Sequence, residues 1–385
     1  MVKIIGTDGN DTLIGTPRND RFIGSAGNDI ITGGDGKDVI DYSSLGQAVT
    51  IRPRFIQKGA IGTDTFGDFI ETVIGANGQA NSIDATSDRT DVSIVADLSK
   101  ERLEIRPVGL PPVIVKVKNF VNVIGTNQND VITGDAQDNE LVGSGGNDII
   151  RGSSGNDTLN GGSGSDIADY SKLGQSITVI ANGLITAIVQ KGGGFGTDTL
   201  INVDGAVADA NAVNNTLDYS QSTSSVLINL DLQNGSITVS NIPGGGTITA
   251  QVLNFDNVKG KTSDDILSGD KQNNLLFGND GDDIIFGRGG NDILAGESGN
   301  DILTGGFGAD NFIFTSVLDG VDIIKDFKAV EGDKIQVSQV GFGAIGISDF
   351  SYDSVSGSLF FQESRFAIIE NKPNGFQTNL DIQLV

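Results

Sequence analysis

Apolar residues recur every ninth position in three stretches of the chain. They are Leu13, Phe22, Ile31 and Ile40, then Ile132, Leu141, Ile150, Leu159 and Ala168, then Leu267, Leu276, Ile285, Leu294, Leu303 and Phe312. The residues between them are glycine-rich and polar, as in GSAGNDIITGGDGKDVIDYS from Gly24 to Ser43. Nine is not a helical period. It leaves room for a short strand carrying one inward side chain, and for a turn in which glycines adopt backbone angles closed to other residues. Two such units make a coil of 18 residues, and parallel strands of successive coils stack about 4.8 Å apart. A single unit buries only one or two apolar side chains, so stability must come from stacking several units.

Two positions before each of these apolar residues stands an acidic or amide residue, a rung of the ladder. The rungs are Asp11, Asp20, Asp29 and Asp38, then Asp130, Asn139, Asp148, Asp157 and Asp166, then Asp265, Asn274, Asp283, Asp292, Asp301 and Asp310. Glycine precedes most of them by two residues, as at Gly27, Gly36, Gly146, Gly155, Gly164, Gly281, Gly290, Gly299 and Gly308. Rungs 18 apart fall on the same edge of successive coils, where bare carboxylates repel and a cation between them would clamp the stack. An Asp in a glycine turn also forms Asx-turns, but those accept Asn equally well. The residue before the rung is Asn in nine of 15 units, whereas the rung itself is Asn only twice, so charge is wanted at the rung. Oxygen ligands alone, from carboxylates and turn carbonyls, suit calcium.

These residues resemble the repeats-in-toxin (RTX) family, whose nonapeptide GGxGxDxUx is matched by GGDGKDVID from Gly33, GGSGSDIAD from Gly161 and GGFGADNFI from Gly305. The resemblance implies an all-β fold, a right-handed parallel β-roll or β-solenoid. In it Ca2+ is held by aspartates of stacked coils and by carbonyls of the preceding glycines, those named above. Seven stacked pairs have aspartate on both coils, and two more contain Asn139 or Asn274, which predicts about seven ions and at most nine, with the Asn sites weak or empty.

Composition narrows the partners. Lys+Arg 25 against Asp+Glu 50 gives a net charge of −25, which argues against nucleic acid and against an anionic membrane. With no Cys, His or Trp, the chain lacks disulfides, the commonest general base, the usual zinc ligand and indole platforms for sugars. No segment reaches membrane-spanning length, and the N-terminal MVKIIGTDGND has no apolar core of the kind a cleaved export signal needs.

A longer repeat overlies the short one. DVIDYSSLGQAVTI (38–51) matches DIADYSKLGQSITV (166–179), and QKGAIGTDTF (57–66) matches QKGGGFGTDTL (190–200). Three blocks follow: 1–120 (nonapeptides 6–41 plus a β spacer), 121–258 (nonapeptides 125–169 plus a β spacer) and 259–385 (nonapeptides 260–313 plus a tail). The tail, with NFIF, SLFFQ and RFAIIE, predicts an antiparallel β cap. Its end, with Asp381 and Leu384-Val385, loosely resembles the uncleaved C-terminal signal of RTX proteins exported by the type I secretion apparatus.

The reading is a secreted protein, extracellular or at the cell surface, folded by Ca2+ and acting as a surface, matrix or interaction module. Its partners would be calcium, the type I exporter and an extracellular polysaccharide or cell-surface component. The alternative is a polysaccharide-acting enzyme of lyase or epimerase type on a β-solenoid. Asp64, Asp68 and Glu71 could supply a carboxylate pair, but the second block has Asn202 and Gly205 where the first has Asp68 and Glu71, so no catalytic residues are assigned. A pore-forming toxin is disfavoured, since no long apolar or amphipathic helical region precedes the arrays. They begin at residue 6, which leaves no room for a separate catalytic domain.

Overall fold

The computed structural model describes residues 1–385 except 67–69, 88, 184, 223–226 and 241–246. Its contacts divide the chain into two compact units: Met1–Tyr170 with Lys191–Gly205, and Ser171–Gln190 with Ala206–Val385.

In the first unit, short parallel strands stack at the register set by the repeat. Thr12–Ile14 lies beside Ile30–Thr32 with Leu13 opposite Ile31, and Asp20–Ile23 beside Val39–Asp41 with Phe22 opposite Ile40. In the second array of this unit Ile132 faces Ile150, and Leu141 faces Leu159. Each pairing joins residues 18 apart.

The spacers continue the roll. Thr63–Phe66 pairs parallel with Ile30–Thr32, turns antiparallel through Phe55–Gln57 to Thr50–Arg52, and the last of these pairs parallel with Asn81–Asp84. The strands Val113–Lys118, Arg102–Pro107 and Val92–Asp97 make the same antiparallel excursion between Thr72–Ile74 and Val131–Thr133. The outer strands of each excursion therefore stay in the parallel stack, which carries the hydrogen-bond ladder across the interruption.

The second unit repeats the plan. One stack runs from Ile177–Ala181 through Thr216–Asp218, Asn257–Lys259, Leu275–Asp280, Ile293–Ser298, Asn311–Phe314 and Lys334–Val337 to Ile382–Leu384, all parallel. The other runs from Leu227–Asp231 through Ile266–Ser268, Ile284–Gly289, Ile302–Phe307 and Asp322–Ile324 to Ser364–Ile369. The antiparallel part of the tail is the meander Phe350–Asp353, Ser358–Phe361, Ser364–Ile369. It packs a cluster of Phe342, Phe350, Phe361 and Phe366 over the roll end, with Phe366 edge-on to Phe314. The terminal strand Ile382–Leu384 rejoins the parallel stack, so the cap is antiparallel in its meander and parallel where it meets the roll.

Every one of the nine-spaced apolar residues is buried, and Leu13, in the N-terminal array, is the most exposed of them at 9 %. Burying each Leu, Ile or Phe contributes about 1.5–3 kcal/mol, and none has a core of its own without the coils above and below it.

Candidate cation-binding turns

All the rungs except Asp11 are buried. Their carboxylates are held by a ladder of backbone hydrogen bonds. The Asp11 amide donates to Asp29 Oδ1 (3.0 Å), Asp20 to Asp38 Oδ1 (2.8 Å), Asp130 to Asp148 (2.8 Å), Asp148 to Asp166 (2.8 Å), Asp283 to Asp301 (2.7 Å) and Asp292 to Asp310 (2.9 Å). One oxygen of each carboxylate thus closes the strand start of the coil before it.

The other oxygen sorts the turns into two kinds. In eight turns the residue four before the rung donates to it. The amides of Thr7, Thr16, Thr126, Asp135, Ser153, Lys261 and Asp270 reach Asp11, Asp20, Asp130, Asn139, Asp157, Asp265 and Asn274 at 2.6–3.2 Å, and the Ser25 hydroxyl reaches Asp29 at 3.2 Å. In the other seven the same position is left-handed: Gly34, Ser144, Gly162, Asn279, Arg288, Glu297 and Gly306 have φ from 71 to 105. The Oδ2 atoms of the seven rungs that follow, Asp38, Asp148, Asp166, Asp283, Asp292, Asp301 and Asp310, are buried without a hydrogen-bond partner. Ser, Arg and Glu at positive φ are uncommon and costly, and such strain gathers where a ligand is held.

A glycine stands five residues before every rung, from Gly6 before Asp11 to Gly305 before Asp310. A methyl group on Gly143 would lie 2.1 Å from Asp148 Oδ2 and 2.6 Å from the Gly161 carbonyl oxygen; on Gly278, 2.1 Å from Asp283 Oδ2 and 2.8 Å from the Gly296 carbonyl. On Gly287 it would lie 2.3 Å from Asp292 Oδ2 and 2.5 Å from the Gly305 carbonyl. Each niche joins a donor-less carboxylate oxygen to a carbonyl of the next coil, an oxygen set that fits a hard cation. The family model of the RTX calcium-binding nonapeptide repeat (4 copies) matches residues 5–41, 122–150, 133–168, 259–294 and 286–314.

The chain carries RTX calcium-binding repeats.

No curated protein matches the chain. Among solved structures it is similar to the extracellular lipase LipA from Serratia marcescens, at 22% identity and a TM-score of 0.27, over 69% of this chain and 40% of the lipase. The chain therefore spans well under half the length of that relative. RTX repeats bind calcium, and proteins that carry them are typically secreted. Among the described residues no helix is long and apolar enough to cross a membrane.

The electrostatics of the open RTX turns follow from their burial. Burial pushes the Asp283 carboxyl up to about 8, and the charges of Asp301 and Asp265 add to it; burial pushes Asp148 and Asp292 up to about 7, with Asp130 and Asp166, or Asp310 and Asp270, reinforcing the shift. Burial also raises Asp38, Asp166 and Asp310 above the ordinary carboxylate range. A folded-state pKa above the unfolded value of about 3.9 contributes stability at low pH that is lost as pH rises through the folded value. In chelator the protein is therefore expected to lose stability between about pH 4 and pH 8. With calcium the order reverses, because protons compete with the metal and apparent affinity rises over the same range. Denaturant melts at pH 5 and pH 8, each with EGTA and with calcium, check this; a metal-free stability that rises with pH contradicts it.

Gly27, Gly36, Gly146, Gly155, Gly164, Gly281, Gly290, Gly299 and Gly308, two before their rungs, take positive φ, but their carbonyls pack along the stack. Gly146 O, Gly281 O and Gly290 O lie where a methyl on Gly164, Gly299 and Gly308 would meet them at 1.7–1.8 Å. The carbonyl that shares each niche with Oδ2 comes from the glycine five before the next rung on that edge, a position visible in the repeat but not singled out by the nine-residue count. That count also stops short of the ladder's full length. Asp64, Asp198, Asp322 and Asp333 accept from the amides of Asp29, Asp157, Asp301 and Asp310 at 2.9–3.1 Å, so they are rungs too. Asp64 is fully buried and Glu71 accepts from the Asp38 amide (2.6 Å), while Asp68 lies outside the described residues. Asp381 is buried, its Oδ2 accepting from the Gln377 amide (2.8 Å), and anchors the terminal strand.

Proposed function

We propose that the chain is a calcium-conditioned RTX roll acting outside the cell or at its surface as a matrix or interaction module, exported by a type I apparatus that reads its C-terminal region. The observation that carries this is the set of seven buried Oδ2 atoms without a donor, each in a turn held open by a left-handed residue. Charge and burial make these turns unfavourable without a cation, and a net charge of −25 deepens the need.

The open turns stack as three pairs, with Ser144 opposite Gly162, Asn279 opposite Glu297, and Arg288 opposite Gly306. The tightest calcium sites in this reading are therefore Asp148/Asp166, Asp283/Asp301 and Asp292/Asp310, fewer than the seven that counting aspartate pairs implies. Among the described residues no three acidic side chains converge on one point, so most ligands would be carbonyls of the glycine turns. In the closed turns, including the Asn139 and Asn274 turns, the rung already accepts from the residue four before it. The three sequence blocks, 1–120, 121–258 and 259–385, are read as successive array-and-spacer repeats of this roll.

Binding of the calcium-loaded protein to immobilised polysaccharides and to whole cells tests the module reading. Saturable, calcium-dependent binding without turnover supports it. Release of shortened or unsaturated sugar products would replace it with the enzymatic alternative.

A further inference from the structure

Two lysines of the spacers are buried at the ladder. The side chains of Lys58 and Lys191 are 0% exposed, and each ammonium meets three oxygens. Lys58 Nζ donates to the Ser25 carbonyl (2.7 Å), to Asp29 Oδ2 (3.2 Å) and to Asp64 Oδ1. Lys191 Nζ donates to the Ser153 carbonyl (2.6 Å), to Asp157 Oδ2 (3.3 Å) and to Asp198 Oδ1. The two sets are the same by position: a carbonyl four before a rung, that rung's Oδ2, and the Oδ1 of the next rung up. Three donors find three acceptors, which leaves the ammonium fully satisfied. A buried tyrosine completes each set, Tyr42 donating to Asp64 Oδ2 (2.6 Å) and Tyr170 to Asp198 Oδ2 (2.8 Å). These are the residues of the repeated DYS, QKG and GTDT motifs.

We propose that Lys58 and Lys191 are built-in cations, each ammonium standing between stacked carboxylates where a metal ion would otherwise be needed. The fold brings them there by the antiparallel excursion of the spacer. Asp64 lies 35 residues after Asp29 rather than 18, and the inserted hairpin carries the lysine back over the turn. Its register places Gln57 opposite Thr63, which sets Lys58 at the turn of the hairpin facing the Asp29 edge. Where the roll is interrupted, loop insertion separates the coils in sequence, and a covalently tethered charge holds them without a diffusible ion. Asp29 and Asp157 are then lysine partners rather than calcium ligands, and two junctions between coils of the first unit are clamped independently of calcium.

Calcium enters here only as the probe, and to that extent the lysine clamp rests on the calcium function proposed above. Calorimetric titration of the full chain with calcium chloride counts bound ions in wild type, Lys58→Ala and Asp29→Asn. Removing the ammonium should open one oxygen-lined site, so Lys58→Ala is expected to bind one ion more than wild type, and Lys58→Ala with Lys191→Ala two more. Asp29→Asn is expected to leave the count unchanged, since no ion sits there. No gain in a folded Lys58→Ala, or the loss of one ion in Asp29→Asn, overturns the proposal. If Lys58→Ala does not fold, the isosteric Asp29→Asn decides alone. A wild type without bound ions sinks the calcium function instead, and the gain of an ion in Lys58→Ala still decides the lysine question.

Discussion

Withdrawal of calcium at about pH 8 is expected to convert most of the chain from β-structure to coil, and its return in millimolar amounts to reverse the change. The turns that would hold the metal leave seven carboxylate oxygens buried without donors. Each such group costs on the order of 1–3 kcal/mol or more when charged, against a total stability of only about 5–15 kcal/mol for a typical domain. Metal binding then appears directly as folding free energy. Circular dichroism in EGTA and in calcium reads the change. Sites of extracellular type, with dissociation constants of about 10⁻⁴ to 10⁻³ M, would be empty at cytosolic calcium and filled outside. The chain would thus stay threadable until export. A fully β, cooperatively melting protein in EGTA at about pH 8, above the raised values of about 7 at Asp148 and Asp292, contradicts this.

The second large effect lies in the third array. Replacing Asp283 and Asp301 together by Asn keeps their size and the Oδ1 acceptors that hold the ladder amides, but removes the charge facing the Gly278 niche. The calcium midpoint of folding is expected to rise by roughly tenfold or more, about 1.4 kcal/mol or more. Asp20→Asn is the matched control. It is buried, its turn is closed by the Thr16 amide on Oδ2 (2.6 Å), and its Oδ1 accepts no hydrogen bond that an amide group would lose. The control is expected to move the midpoint little. Equal shifts would mean that open and closed turns do not differ in what they bind.

Much of this architecture is legible in the chain because the repeat is a distance ruler. The pairs Leu13 with Ile31, Leu141 with Leu159, Leu267 with Ile285 and Ile285 with Leu303 follow from a coil of 18, and the structure pairs them so. The apolar ladder and the stacking of rungs on two edges needed no more than period and phase. The division into open and closed turns was not legible, because it rests largely on the sign of φ at Ser144, Arg288 and Glu297, residue types that give no sign of a left-handed backbone. The lysine clamps were hidden for another reason. Lys58 meets Asp29 only through a hairpin that breaks the nine-residue count, so the GTDT aspartates read as spacer residues and not as rungs. The glycine five before each rung was in plain view, but its role needs the carbonyl of the next coil.

The most direct test of calcium in the open turns is an anomalous difference map from crystals grown in calcium, recorded at a wavelength where calcium scatters anomalously. Peaks are predicted beside the Gly143, Gly278 and Gly287 niches, between Asp148 and Asp166, Asp283 and Asp301, and Asp292 and Asp310, with none between Asp29 and Asp64. Peaks of equal strength in the closed turns, or none in these three niches, would contradict it.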